Sequence, residues 1–282
     1  MSLPPFGAAL VTGASSGIGK ATARALGAAG YLTVATARDP RRLGDLEAAG
    51  CRALGLDVTD EGSVTSAVHT IEETYGSVSV LVNNAGYGEM GPLEELPIDA
   101  FRRELETNLI GLLRLTQLVL PTMRQRGYGR IVNMSGMGGL MSLPGGGAYY
   151  ASKYALEGLS DALRAEVAPF GIEVIVIEPG LVTSGFNATA RESSALAQNG
   201  GPYDGLKQAL KTRAFSSDVG RLEQTFGATP DQVAEVVVRA VSADHPKTRY
   251  PVTLMARVMP ALRRLLPDRR SDAMARAMLG VQ

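Results

Sequence analysis

The chain alternates short, almost wholly apolar runs with longer segments whose apolar residues recur every three or four positions. The apolar runs fall at residues 7–12, 31–36, 52–56, 78–83, 130–134 and 171–177. Their length, β-branched content and lack of polar interruption predict strands buried on both faces. Helical periodicity fills the gaps, at 17–29, 41–49, 60–75, 100–125 and 149–167. Such alternation needs parallel crossovers, which are right-handed. The expected fold class is therefore α/β: a doubly wound parallel sheet of the Rossmann type, with ligands at its carboxyl edge.

The last third breaks this rhythm. Residues 184–229 are polar and carry several glycines, with one helix expected near 203–213. A helix at 231–241 is preceded by Thr229-Pro230, an N-cap followed by proline in the first turn. A last strand is expected at 249–254, then one or two short amphipathic helices beyond Ala256. No repeat or low-complexity linker divides the chain, so 1–282 reads as a single domain. Its cofactor-binding part covers about 7–184, a substrate lid 184–229, and a C-terminal helix, strand and tail 230–282.

Composition narrows the function. The 282 residues hold 28 Lys+Arg against 28 Asp+Glu, and a nucleic-acid partner would call for a basic excess. The arginines at 257, 263, 264, 269 and 270 are a local exception, readable as a basic patch or a solvated helix face. A single cysteine, Cys51, cannot form an intrachain disulfide and reads as a small buried hydrophobe. His69 and His245 are far apart, and no Cys/His/carboxylate cluster has ligand spacing, so no metal is expected. No apolar run approaches the ~18 residues of a membrane span. The N-terminal apolar stretch runs directly into a glycine motif and reads as a strand, which makes the cytoplasm the expected compartment.

That motif is Thr12-Gly13-Ala14-Ser15-Ser16-Gly17-Ile18-Gly19, following the first strand and opening the first helix. Gly13 permits the sharp turn, Gly17 the approach of backbone to a pyrophosphate, and Gly19 close helix–strand packing. Helix N-terminal N–H groups then face the negative charge. An acid at the end of the second strand would favour NAD, but Thr36-Ala37-Arg38 stands there. Arg38 is placed to pair with a 2′-phosphate. NADP(H) is the preferred cofactor, with NAD(H) possible.

Tyr149 and Lys153, four apart on a helix, share one face. A phenol titrates near ~10, and a neighbouring ammonium lowers that value toward proton exchange at neutrality. The pair thus suits general acid–base work on a ketone or alcohol. Tyr150 is only three residues from Lys153 and reads as a decoy.

The glycine loop, Asn83-Asn84-Ala85-Gly86, Tyr149 with Lys153, and Pro179-Gly180 together resemble the short-chain dehydrogenase/reductase family over about residues 7–184. The stretches 138–144 and 151–158 resemble its steroid- and retinol-type members. The resemblance implies that Asp57 and Val58 border an adenine and that Asn84, Ala85 and Gly86 line the cofactor ribose. It implies that Pro179, Gly180, Leu181, Val182, Thr183 and Ser184 cradle the nicotinamide amide and pyrophosphate. Ala37 stands where NAD-type members carry an acid, and Ser16 where some NADP-type members carry a base. Asn108 matches the asparagine that supports a water chain to the lysine. Assembly as a homodimer or homotetramer through the two long helices is also implied.

One position departs from the family. Its substrate-orienting serine stands thirteen residues before the tyrosine, and this chain has Gly136 there, preceded by Ser135. In a regular strand, an offset of one residue turns a side chain to the opposite face. A bulge at Gly136 could return Ser135 to the site, or Ser142 or a water could replace it. Two readings follow: an active oxidoreductase, or a catalytically impaired dinucleotide-binding pseudoenzyme or sensor. A Rossmann-type methyltransferase would share the glycine turn but has no use for Tyr149 and Lys153. Met137, Leu140, Met141, Leu143 and Phe186 supply apolar surface for a substrate, and no arginine clamp for an acidic group stands out. The expected substrate is an uncharged, hydrophobic ketone or secondary alcohol.

Overall fold

Every expected strand is present in the computed structural model, which describes residues 6–183, 194–197, 200–214 and 227–280. The strands are β1 (Ala8–Val11), β2 (Thr33–Ala37), β3 (Arg52–Gly55), β4 (Val78–Asn83), β5 (Gly129–Met134), β6 (Ile172–Glu178) and β7 (Arg249–Pro251). They form one sheet in the order β3-β2-β1-β4-β5-β6-β7, and every pairing is parallel. The order reverses between β1 and β4, which opens a crevice at their carboxyl ends.

Helices cover both faces. α1 (Gly17–Ala28), α2 (Gly44–Ala48), α3 (Glu61–Tyr75), α4 (Ile98–Leu105), α5 (Gly111–Arg126) and α6 (Gly147–Val167) follow in order. Beyond β6 come α7 (Ser194–Ala197), α8 (Asp204–Ala209), α9 (Pro230–Val241), α10 (Leu254–Leu265) and α11 (Asp268–Leu279). Alternate strand residues serve opposite layers, as the two-residue period requires. Val80, Val82, Ile175 and Ile177 pack toward α1 and α9, whereas Leu81, Ile172 and Val174 pack toward α3, α5 and α6. The Thr229 N-cap is a full capping box with Gln232.

Two elements differ from the sequence pattern. The helix expected over 100–125 is interrupted by a π-turn at Glu106–Ile110, which holds Asn108. The turn leaves room for the Asn108 amide to bond the neighbouring loop and helix rather than solvent. The last strand stops at Pro251 rather than 254, and Thr253 caps α10 by accepting from the Ala256 N–H.

Candidate active site

The carboxyl ends of β1 to β6 border a cleft of about 1110 Å³. On the β1 side the glycine turn is drawn tight. Gly13 has φ +65°, and a Cβ there would stand 2.9 Å from Ala85 Cα. A Cβ on Gly19 would collide with the Gly13 carbonyl, so Gly19 packs the helix against the turn rather than lining the cleft. Gly13, Ser15, Ser16, Gly17 and Ile18 do line it. α1 begins there with no side-chain cap and no acidic residue in its first turn. Its first N–H groups therefore suit an anion, which fits a dinucleotide pyrophosphate. Thr12 holds the turn to the β4 loop: its Oγ1 accepts from Asn84 N and Ala85 N, both at 3.0 Å. Asn84 Nδ2 returns a bond to Thr12 O at 2.9 Å.

Further along the same wall are Arg38, exposed at the end of β2, and Asp57 and Val58 after β3. Arg42 joins Arg38 from the one-turn helix Pro40–Leu43. Arg41 between them is instead engaged by Asp39, at 2.8 and 3.0 Å. Two arginines thus line this end of the cleft.

The opposite wall is more deeply set, with Met134 and Lys153 buried and Tyr149 half-buried. Tyr149 and Lys153 line the cleft from the first turns of α6, with Lys153 Nζ 5.8 Å from the Tyr149 ring centroid. Burial, with Tyr150 and Glu104 adding to it, pushes the Tyr149 phenol above its ordinary value. This is opposite to the lowering expected from Lys153. The lysine is itself desolvated, which draws its amine down to about 8, and Nζ donates to Met134 O at 2.7 Å. Asn108 makes no direct bond to Lys153. Its Nδ2 donates to Tyr87 O at 2.8 Å and Ser152 Oγ at 3.0 Å, and its Oδ1 accepts from Tyr87 N at 3.0 Å.

Position 136 faces the phenol. A Cβ on Gly136 would lie 3.7 Å from Tyr149 Oη and 3.4 Å from Pro179 O. The Ser135 hydroxyl, although its residue borders the cleft, is buried without a hydrogen-bond partner among the described residues. It packs on the other side, where a Cβ on Gly139 would meet it at 2.6 Å beside Glu157. No bulge carries it round to the phenol. Ser142 and Leu143 line a second cavity of about 650 Å³, separated from the first by Tyr150, which borders both. Met137 borders the first, and Met141 is buried. Pro179, Gly180, Leu181 and Val182 border the cleft as well. Thr183 does not, its N–H bonding Ala228 O at 3.2 Å. Ser184 and Phe186 lie outside the described residues.

Against known proteins, residues 7–195 match the family model described as short chain dehydrogenase. The chain belongs to that family. This short-chain dehydrogenase is 36% identical to the 3-ketodihydrosphingosine reductase of Bacteroides thetaiotaomicron over 251 residues, 89% of each chain. It is 38% identical to human 17-beta-hydroxysteroid dehydrogenase type 1 over 271 residues, 92% of this chain and 80% of the relative. Among solved structures, a variant of actinorhodin polyketide ketoreductase with NADPH superposes with a TM-score of 0.76 at 32% identity, covering 91% and 99% of the two chains. The steroid-type resemblance read from residues 138–158 agrees with these relatives, and the protein is of an oxidoreductase family.

Three features of this dehydrogenase went unread in its sequence. Arg42 reaches the cleft only because Pro40–Leu43 forms a single tight turn. Thr12 looked like the end of a strand rather than a tie between loops. Glu104, one turn before Asn108, is fully buried and accepts from Asn108 Nδ2 at 3.4 Å and Glu89 N at 3.3 Å. Burial pushes its carboxyl up to about 8, while the charge of Lys153 pulls the other way. A glutamate at i and an asparagine at i+4 beside a lysine-bearing helix was the available signal. Among the described residues no group of His, Cys, Asp and Glu could hold a metal, and no helix is long and apolar enough to cross a membrane.

Proposed function

We propose that this dehydrogenase is an NADP(H)-preferring oxidoreductase that interconverts hydrophobic ketones and secondary alcohols. It would act in the cytoplasm as a homodimer or homotetramer, with residues 184–229 as the substrate lid. The observation that carries the reading is the half-buried phenol of Tyr149, beside buried Lys153, at the wall of a cleft whose far end bears Arg38 and Arg42. A bound nicotinamide nucleotide supplies or accepts the hydride. The chain's own residues handle the proton. A phenol held above its ordinary pKa stays protonated near neutrality, so Tyr149 Oη is a general acid that gives its proton to a carbonyl oxygen. Lys153, drawn to about 8, is largely ammonium at neutral pH and favours the phenolate that remains. Asn108 and Ser152 fix the start of α6, since Ser152 Oγ also donates to Tyr149 O at 2.7 Å. This arrangement favours ketone reduction.

NADP(H) rather than NAD(H) is supported by Ala37 in place of an acid and by two arginines at that edge. The related ketoreductase structure is one with NADPH and a related xylitol dehydrogenase structure is NAD+-bound, so the preference rests on this chain's own residues. A lipidic ketone is supported by the relatives named for a 3-ketodihydrosphingosine and a 17-beta-hydroxysteroid, and by Met90 and Met137 on the cleft wall.

Gly136 favours a second reading, a nucleotide-binding protein of impaired turnover, because no hydroxyl stands where a Cβ would be 3.7 Å from Tyr149 Oη. Consumption of NADPH by the purified chain over a panel of lipidic ketones separates the two. Turnover with NADPH in preference to NADH supports the first reading. Tight nucleotide binding by fluorescence, with no turnover of any ketone, supports the second, and absence of nucleotide binding refutes both.

A further inference from the structure

α10 is folded with its apolar side outward. Leu254, Val258, Leu262 and Leu265 are 70%, 50%, 37% and 82% exposed, while Ala256 and Pro260 on the other side are buried. At 3.6 residues per turn these four, with exposed Ala261, occupy one sector of roughly 100°. Arg257 and Arg264, both exposed, run along one edge of it, and α10 contains no acidic residue. Arg263 lies on the inner side and is taken by Asp268 at 2.8 Å. α11 adds exposed Arg269, Arg270 and Arg276. Residues 254–280 hold six arginines against two aspartates in a chain that is otherwise acidic by the same margin.

An apolar sector edged by cations is matched by two kinds of surface, a second copy or a lipid bilayer. In a two-fold dimer the same patch meets itself, so Arg257 and Arg264 would approach an equally basic strip with no acidic residue of α10 to answer them. Anionic headgroups neutralise those charges, and the acyl boundary accepts the leucines. We propose that α10 is an interfacial helix that seats the protein on an anionic lipid surface, with Leu254, Val258, Leu262 and Leu265 in the acyl boundary and the arginines on headgroup phosphates.

The helix is well placed for this to matter. It packs against the 137–139 turn of the cleft wall, and its N-cap Thr253 abuts Gly180. A ketone dissolved in the bilayer would therefore be presented beside the cleft. The docking itself does not depend on the catalytic reading, because it is measured without turnover.

The test is vesicle flotation of the full chain with phosphatidylcholine alone and with an equimolar mixture of phosphatidylcholine and phosphatidylglycerol. The expected result is binding to the mixture, weakened by salt, and little to phosphatidylcholine. Each surface arginine contributes about fivefold to partitioning, so R257E/R264E should lose at least roughly 25-fold. L254S/V258S/L265S should abolish binding. All five side chains are exposed, so circular dichroism should be unchanged in both variants. The proposal fails if the parent does not float with the mixture, or if either variant floats as the parent does. It fails equally if the triple variant changes only the mass seen by light scattering, which would assign the stripe to a second copy.

Discussion

The two walls of the cleft bind by opposite means. The wall carried by β1 to β3 offers backbone N–H groups at a glycine turn and arginines open to water. The wall carried by β5, β6 and α6 offers desolvated side chains whose proton affinities are displaced, Tyr149 upward and Lys153 down to about 8, with Glu104 of α4, behind the wall, up to about 8. A large anion can be held by a solvated surface, because fixed dipoles and guanidinium forks substitute for its hydration. A proton-transfer site cannot stay solvated and keep shifted pKa values, since desolvation is what shifts them. On the proposed function the first wall serves affinity and the second chemistry, and substitutions should separate the two.

The largest separation is expected from Tyr149→Phe. Losing the acid should lower kcat about 10²- to 10⁴-fold. Nucleotide affinity by fluorescence should stay within about threefold, because the anion-binding wall is untouched. A fall in affinity as large as the fall in kcat would erase the distinction between the walls.

Gly136→Ser acts on the same wall in the opposite direction. A Cβ there meets only ordinary contacts, at 3.4 and 3.7 Å, although the backbone at φ +155° must rotate to suit an L residue. A hydroxyl beside Tyr149 Oη supplies a donor of a kind whose removal elsewhere costs about 10²–10³ in kcat. The variant should therefore gain up to that factor, with melting temperature as the control for backbone strain. An unchanged kcat would mean that another group already orients the substrate.

The difference between the walls also governs what could be read in advance. Buried parallel strands leave unbroken apolar runs, and a glycine turn leaves its own spacing, so the sheet and the residues from Gly13 to Gly17 were legible. The place of Arg38 at the cleft edge was legible as well, from its position after β2. Glu104 was not, because a glutamate in an amphipathic helix ordinarily faces water, and only the π-turn at Glu106–Ile110 and the packing of α6 turn it inward. The direction of the Tyr149 shift was misread for the same reason: adjacency to Lys153 is written in the sequence, while the burial that outweighs it is not. α10 shows the converse. Its apolar spacing is that of a core helix, and nothing local says that the stripe faces out.

On the solvated wall, Arg38→Ala should raise the KM for NADPH by about 10- to 100-fold, the worth of a charge-assisted pair, and leave NADH nearly unaffected. The double variant with Arg42→Ala should go further if both guanidiniums share one phosphate. Equal losses with both nucleotides would place the arginines on the pyrophosphate instead. kcat at saturating cofactor should not change, which is the mirror of Tyr149→Phe.

The smallest effect, and the finest test of the buried wall, is Glu104→Gln. The carboxylate favours the charged form of Lys153, so removing it should let the amine lose its proton at lower pH and move the alkaline limb of the kcat profile downward. Stability should respond with a definite sign. A carboxyl raised from 4.5 to about 8 by folding keeps its proton in the folded state after the unfolded chain has released it. Stability is then lost as pH rises between those values, and the glutamine, which does not titrate, should abolish that loss. Urea midpoints of parent and variant should draw apart from mildly acidic to mildly alkaline pH, with the variant gaining. A midpoint difference independent of pH, or an alkaline limb that stays in place, would show that Glu104 only fills space behind Asn108.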